Sequence, residues 1–115
     1  MPERRILLVE DDPDVARLLE HVLVDEGYAV DVAWTDRQAR SKLDEQTYSL
    51  VITDLRLPDG DGLALADHAA GLGTKTAIMS GYVHRLTSEA ANRHEVMAKP
   101  MRPGELITTV KRLIG

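Results

Sequence analysis

V-I-T-D-L-R-L-P-D-G-D-G, residues Val51 to Gly62, places three aspartates in two unlike settings. Asp59 and Asp61 alternate with glycines behind Pro58, which is the composition of a turn. Asp54 instead closes an apolar run that begins at Tyr48 (Y-S-L-V-I-T). A short run of apolar and β-branched residues reads as a buried strand. A carboxylate at its end is therefore mounted at the edge of a sheet. A calcium-loop reading of Asp59-Gly60-Asp61-Gly62 needs a bidentate glutamate at its twelfth position, and counting from Asp59 that position is Ala70. The turn reading stands, with Asp61 capping a short helix over Leu63 to Ala70.

Working outward, the same grammar repeats. Arg5 to Val9 (R-I-L-L-V) is a short buried strand. Asp12-Pro13 supplies an N-cap and a first-turn proline, and Val15, Leu18, Leu19, Val22 and Leu23 follow at helical spacing up to a stop at Gly27. Tyr28 to Ala33 reads as a strand. Thr35 or Asp36 caps a second helix with Ala39 and Leu43 inward. Thr76 to Met79 is a strand, Arg85 to Arg93 a weak helix and Val96 to Ala98 a very short strand. Pro103 opens a last helix with Leu106, Ile107, Val110, Leu113 and Ile114 inward. Five strand–helix alternations predict one doubly wound α/β domain over residues 1–115, with a parallel sheet covered on both faces.

Composition narrows the function classes. The 115 residues suit one domain with its own core. There is no cysteine, hence no disulfide and no thiolate metal site. The net charge of −5 and an aromatic set of one Trp, three Tyr and no Phe argue against a nucleic-acid surface. The four apolar residues after Arg4-Arg5 are too few for a signal peptide, and no run approaches a membrane span. A cytoplasmic protein is the expectation. His21, His68 and His84 share no metal-ligand spacing. Met79, Met97 and Met101 read as packing, and Trp34 carries no functional reading.

In a doubly wound sheet the ligand site lies beyond the carboxyl ends of the strands. Strand one ends in Glu10-Asp11-Asp12, strand three in Asp54, strand four in Ser80-Gly81 and strand five in Lys99-Pro100. Carboxylates crowded at one edge repel by a few kcal/mol per pair at an effective dielectric near 20. A hard divalent cation, Mg2+ or Mn2+, relieves that repulsion. Asp54 beside it is a candidate nucleophile toward a phosphoryl group, with Lys99 and Ser80 placed to hold the phosphoryl oxygens.

L-L-V-E-D-D-P, V-I-T-D-L-R-L-P-D-G-D-G-L, I-M-S-G-Y and A-K-P, in that order over the whole chain, resemble the receiver domain of bacterial two-component response regulators. Each piece alone is weak; all four at matching strand ends are specific. The resemblance implies a flavodoxin-like (βα)5 sandwich of strand order 2-1-3-4-5. It also implies a phosphoryl group taken from a histidine kinase or a histidine phosphotransfer protein, and a downstream protein target. By position, Asp54 matches the phospho-acceptor. Asp11 matches the direct metal ligand, Glu10 a ligand through water, and the Arg56 carbonyl the third protein ligand. Ser80 matches the hydroxyl and Lys99 the lysine that engage the phosphoryl group. Gly81 matches the small residue that leaves room for the donor, and Lys99-Pro100 the family's cis peptide.

Two departures go with it. The intervals from Asp54 to Ser80 and from Ser80 to Lys99 are shorter than usual, which predicts shortened third and fourth helices. Val96 stands where the family has an aromatic switch residue, and Tyr82 is the candidate substitute. His94-Glu95 looks like a kinase phosphohistidine site but lacks the long dimerising helix. Two rivals belong to other classes. A haloacid-dehalogenase-like phosphohydrolase needs an acid two positions after its nucleophile, where this chain has Arg56. A pseudo-receiver would serve as a phosphorylation-independent protein-binding module.

Overall fold

The computed structural model describes residues 4–81 and 92–115. In chain order its elements are β1 (Arg5–Val9), α1 (Pro13–Asp25), β2 (Ala29–Ala33), α2 (Asp36–Glu45), β3 (Leu50–Asp54), β4 (Arg56–Leu57), β5 (Gly60–Asp61), α3 (Gly62–Gly71), β6 (Lys75–Ser80), β7 (Glu95–Ala98) and α4 (Pro103–Ile114). The five longer strands form one parallel sheet of order β2-β1-β3-β6-β7, and β4 pairs with β5 in a separate antiparallel ribbon. Counting only the long strands, that is the 2-1-3-4-5 order implied by the resemblance. The helix read at Arg85 to Arg93 falls almost wholly within residues 82–91, outside the described residues, as does Tyr82.

Strand side chains alternate between faces, and here each face has its own core. Ile6, Leu8, Leu50 and Ile52 pack with Leu19, Leu23, Leu106 and Val110 from α1 and α4. Leu7, Val9 and Val51 pack with Ala39, Leu43, Leu65 and Ala69 from α2 and α3. Strands buried on both faces read as near-continuous apolar runs, which is why I-L-L-V of β1 and L-V-I of β3 show no alternation in sequence.

The helix starts follow the capping residues. Asp12 accepts from the amides of Asp14 and Val15 at 3.0 and 3.3 Å, with Pro13 in the first turn. Thr35 accepts from Gln38 at 3.1 Å, and Asp61 from Leu63 at 2.8 Å. Each satisfies an amide that has no acceptor inside its helix. α3 is short, 10 residues against 13 in α1. The turn expected at Pro58–Gly62 is tighter than a loop: its flanks pair as β4 and β5.

His94 occupies a place no periodicity indicates. It is buried, and both ring nitrogens are engaged: Nδ1 with the Thr76 hydroxyl of β6, and Nε2 with Asp67 Oδ1 of α3 at 2.6 Å. Arg93 donates to both oxygens of the same carboxylate. Hydrogen bonds from His94 and Arg93 hold the Asp67 carboxyl below its ordinary pKa. The start of β7 is thus fastened to a strand and a helix at once. His94→Ala leaves a cavity and strands the buried Thr76 hydroxyl, so a stability loss of about 2–4 kcal/mol is expected in urea denaturation.

Candidate functional site

Parallel pairing brings the carboxyl ends of β1, β3, β6 and β7 to one edge. Thr53 lies beside Val9, Asp54 beside Met79, and Ser80 beside Ala98. Backbone bonds extend the alignment past the strands: Glu10 donates to Ala33, Leu55 to Met79 and Lys99 to Ser80, at 3.0, 3.0 and 2.9 Å. The residues at or just past the ends of these four strands therefore arrive at the same place. The edge encloses a cleft of about 510 Å³, lined by Glu10, Asp11, Asp54 and Lys99 with Leu55, Arg56, Ser80 and Gly81.

Glu10 and Asp54 are almost without solvent, at 1% and 5% exposure, whereas Asp11 is exposed. The Lys99 ammonium donates to Glu10 Oε2 at 3.0 Å and pairs directly with Asp54 Oδ1. Glu10 Oε1 accepts from the Asp12 amide at 3.1 Å. Burial, followed by the neighbouring Glu10 carboxyl, pushes the Asp54 pKa up to about 8, with Lys99 pulling the other way. Burial works against the Lys99 charge, but its bonds to Asp54 and Glu10 outweigh burial and raise its pKa. One ammonium thus faces more carboxylate than it can neutralise.

Glu10, Asp11 and Asp54 each present an oxygen, and these oxygens all lie within 4.8 Å of one another. At that range each pair of charges repels by roughly 3–4 kcal/mol at an effective dielectric of 20. The donors are all hard oxygens, two fixed by burial and one open to solvent. Such a set fits a divalent cation that keeps part of its water, as Mg2+ and Mn2+ do.

The other expected residues are placed as follows. Ser80 is buried at the end of β6. Among the described residues a Cβ built on Gly81 meets nothing within 4 Å. Arg56 begins the β4–β5 ribbon and lines the cleft. The Lys99–Pro100 peptide is cis. Val96 is half-buried on β7, paired with Ile78 and outside the cleft lining. Sequence reasoning missed Gly62: its Cβ would stand 1.8 Å from the Asp54 carbonyl oxygen. A glycine after the helix-capping Asp61 was the available signal.

A doubly wound sheet with an acidic cleft at its carboxyl edge defines a broad class, and comparison with known proteins narrows it. The response regulator receiver domain family matches residues 6–111. The response regulator receiver protein CpdR of Brucella abortus is 31% identical over 96% of this chain and 97% of its own length. The transcriptional regulatory protein AruR of Pseudomonas aeruginosa is 33% identical over 96% of this chain, which spans about half (49%) of that protein. Among solved structures, the response regulator TrrA of Thermotoga maritima, in complex with Mg2+–BeF, superposes with a TM-score of 0.87 at 31% identity, covering 96% and 98% of the two chains. A CheY-like receiver domain from Methylobacillus flagellatus gives 0.88 at 26% identity, covering 97% and 99%. The chain belongs to the response regulator receiver domain family. It is accordingly a receiver domain of two-component signalling, a class of phosphorylation-dependent switches rather than turnover enzymes. Among the described residues no helix is long and apolar enough to cross a membrane.

The raised Asp54 pKa has a definite sign. Without metal, the folded chain keeps a proton on Asp54 between about pH 4 and pH 8 that the unfolded chain has released. Stability from this group is full below the unfolded pKa and falls as pH rises toward 8, by at most about 1.4 kcal/mol per pH unit. Asp54→Asn is expected to flatten that fall in metal-free thermal melts. Added Mg2+ is expected to raise the melting temperature of the native chain more than that of the variant.

Proposed function

We propose that residues 1–115 act as one cytoplasmic receiver unit that accepts a phosphoryl group on Asp54. The observation that carries this reading is the convergence on one cleft of a buried strand-end aspartate, two further carboxylates and a lysine. The donor is a phosphohistidine on a histidine kinase or histidine phosphotransfer protein. An Asp54 oxygen forms the new P–O bond as the donor's P–N bond breaks, and the leaving imidazole keeps the bonding electron pair and takes up a proton. Water attacking phosphorus in line later releases phosphate and restores the carboxylate.

The acidic residues and Lys99 divide the work. Asp11, Asp54, Glu10 through water, and the Arg56 carbonyl would hold Mg2+ or Mn2+. When bound, that ion supplies positive charge to phosphoryl oxygens in transfer. Lys99 stands between Glu10 and Asp54, so its ammonium is already aimed where phosphoryl charge develops and needs little reorganisation to meet it. Ser80 adds a hydroxyl donor to another phosphoryl oxygen. Gly81 leaves the mouth open for the donor ring. Arg56 stands where a haloacid-dehalogenase-like enzyme would need a second acid, and a guanidinium does not exchange a proton in that role.

The phosphoryl group brings a charge of about −1.5 to −2. Lys99 and Ser80 then answer to that group rather than to the bare carboxylates. The surface around β6 and β7 changes with them, and with it the affinity for a downstream protein. Neither nucleic acid nor membrane is a direct partner of this unit. The pseudo-receiver alternative lacks support from the site, since none of the acids nor the lysine is missing.

Incubation of the purified chain with acetyl phosphate and Mg2+ tests the reading by intact-mass spectrometry. A gain of one phosphate is expected, abolished by chelation and by Asp54→Asn. No gain, or a gain that survives Asp54→Asn, overturns it.

A further inference from the structure

The chain between β3 and α3 forms a wall of the cleft at Leu55 and Arg56, and it is anchored twice. At its base the Gly62 amide donates to the Leu55 carbonyl at 2.7 Å. The backbones approach so closely there that a Gly62 Cβ would also stand 2.9 Å from the Leu55 Cα, a contact that only glycine permits. At its tip the Asp59 carboxylate reaches across to the start of α2. Oδ1 accepts from the Asp36 amide at 2.7 Å and Oδ2 from the Arg37 amide at 3.1 Å.

Those amides open α2 and have no acceptor within the helix. Thr35 caps the same helix but serves Gln38, so Asp59 takes the donors that Thr35 leaves. The contact is steric as well: a Cβ on Gly60 would lie 3.0 Å from Asp36 Cβ, and Asp36 is itself paired with Arg40 at 3.0 Å. The two amide bonds hold the Asp59 carboxyl below its usual pKa, so it is ionised at neutral pH.

The ribbon that these anchors hold has two residues on each side. A pair of strands that short has no independent stability. We infer that Asp59 is a positioning residue for the metal and phosphoryl cleft, acting through the β4–β5 ribbon that it braces on the N-terminus of α2. The inference rests on the role proposed above for Asp54 and its acidic neighbours. A backbone wall that is fixed before metal arrives loses little freedom on binding, and outer contacts of this kind commonly set metal affinity. Cut from α2, the wall must be ordered by the ion itself.

Mn2+ binding to the full chain, followed by electron paramagnetic resonance, tests this without any phosphodonor. Asp59→Ala is expected to weaken Mn2+ binding roughly tenfold, the low end for outer-shell partners. Hydrogen exchange at the Asp36 and Gly62 amides should quicken while the urea midpoint stays near the parent's. Asp59→Asn keeps one of the two acceptor oxygens, so its Mn2+ affinity should fall between that of the native chain and that of Asp59→Ala. Wild-type Mn2+ affinity in Asp59→Ala, with exchange at Asp36 raised, overturns the role of Asp59. Failure of the native chain to take phosphate from acetyl phosphate overturns the reading of Asp54 instead, and the Mn2+ isotherms still decide the role of Asp59.

Discussion

Lys99 reaches from the end of an edge strand to two carboxylates buried at the ends of central ones, Glu10 and Asp54. Both acids are buried, and burial first, then the neighbouring Glu10 carboxyl, raises the Asp54 pKa. Keeping both at one edge requires a cation within reach and a scaffold that does not yield. The ammonium is the first requirement. The second is the parallel sheet, whose register leaves the strand ends no freedom to part. The sheet that meets it is apolar along its central strands, covered by helices on both faces, and carries its cluster of acids and lysine at the carboxyl edge.

Among the described residues that arrangement leaves the cleft with more acidic than basic side chains. Of these, Lys99 covers two acids, while Asp11 stands open to solvent. A divalent ion and a phosphoryl group are opposite in charge and complete each other in such a place. On the reading proposed above the cleft would take that pair of ligands, with the solvent-exposed Asp11 as the place where a hydrated ion approaches without first displacing the ammonium.

The sheet and the strand-end residues were legible in the sequence because a strand buried on both faces is written as an uninterrupted apolar run. The first polar residue after it marks the sheet edge. Asp12, Thr35 and Asp61 were legible because capping is local, acting over two or three residues. The β4–β5 ribbon was not, since two residues a side leave no periodicity and the glycines speak only of a turn. Asp59 was read as part of that turn because its amide partners lie 23 and 22 positions upstream. His94 was disguised by charged neighbours on both sides, Arg93 and Glu95, and its burial depends on Asp67, 27 positions away. Strand bounds shifted where the end residue is polar: Lys75 and Ser80 extend β6 beyond its apolar centre, and β3 begins at Leu50 although Tyr48 is buried.

β7 is four residues long and, among the described residues, pairs with β6 alone. Its root is bolted at His94 to both β6 and α3, and its tip runs directly into Lys99. It therefore works as a short arm with a fixed pivot and a charged end. On the proposed reading, any change in what Lys99 grips would be referred to that pivot. Val96 lies within the arm, paired with Ile78 of β6, so on the proposed reading a displacement along it would be carried by backbone pairing rather than by the swing of an aromatic ring.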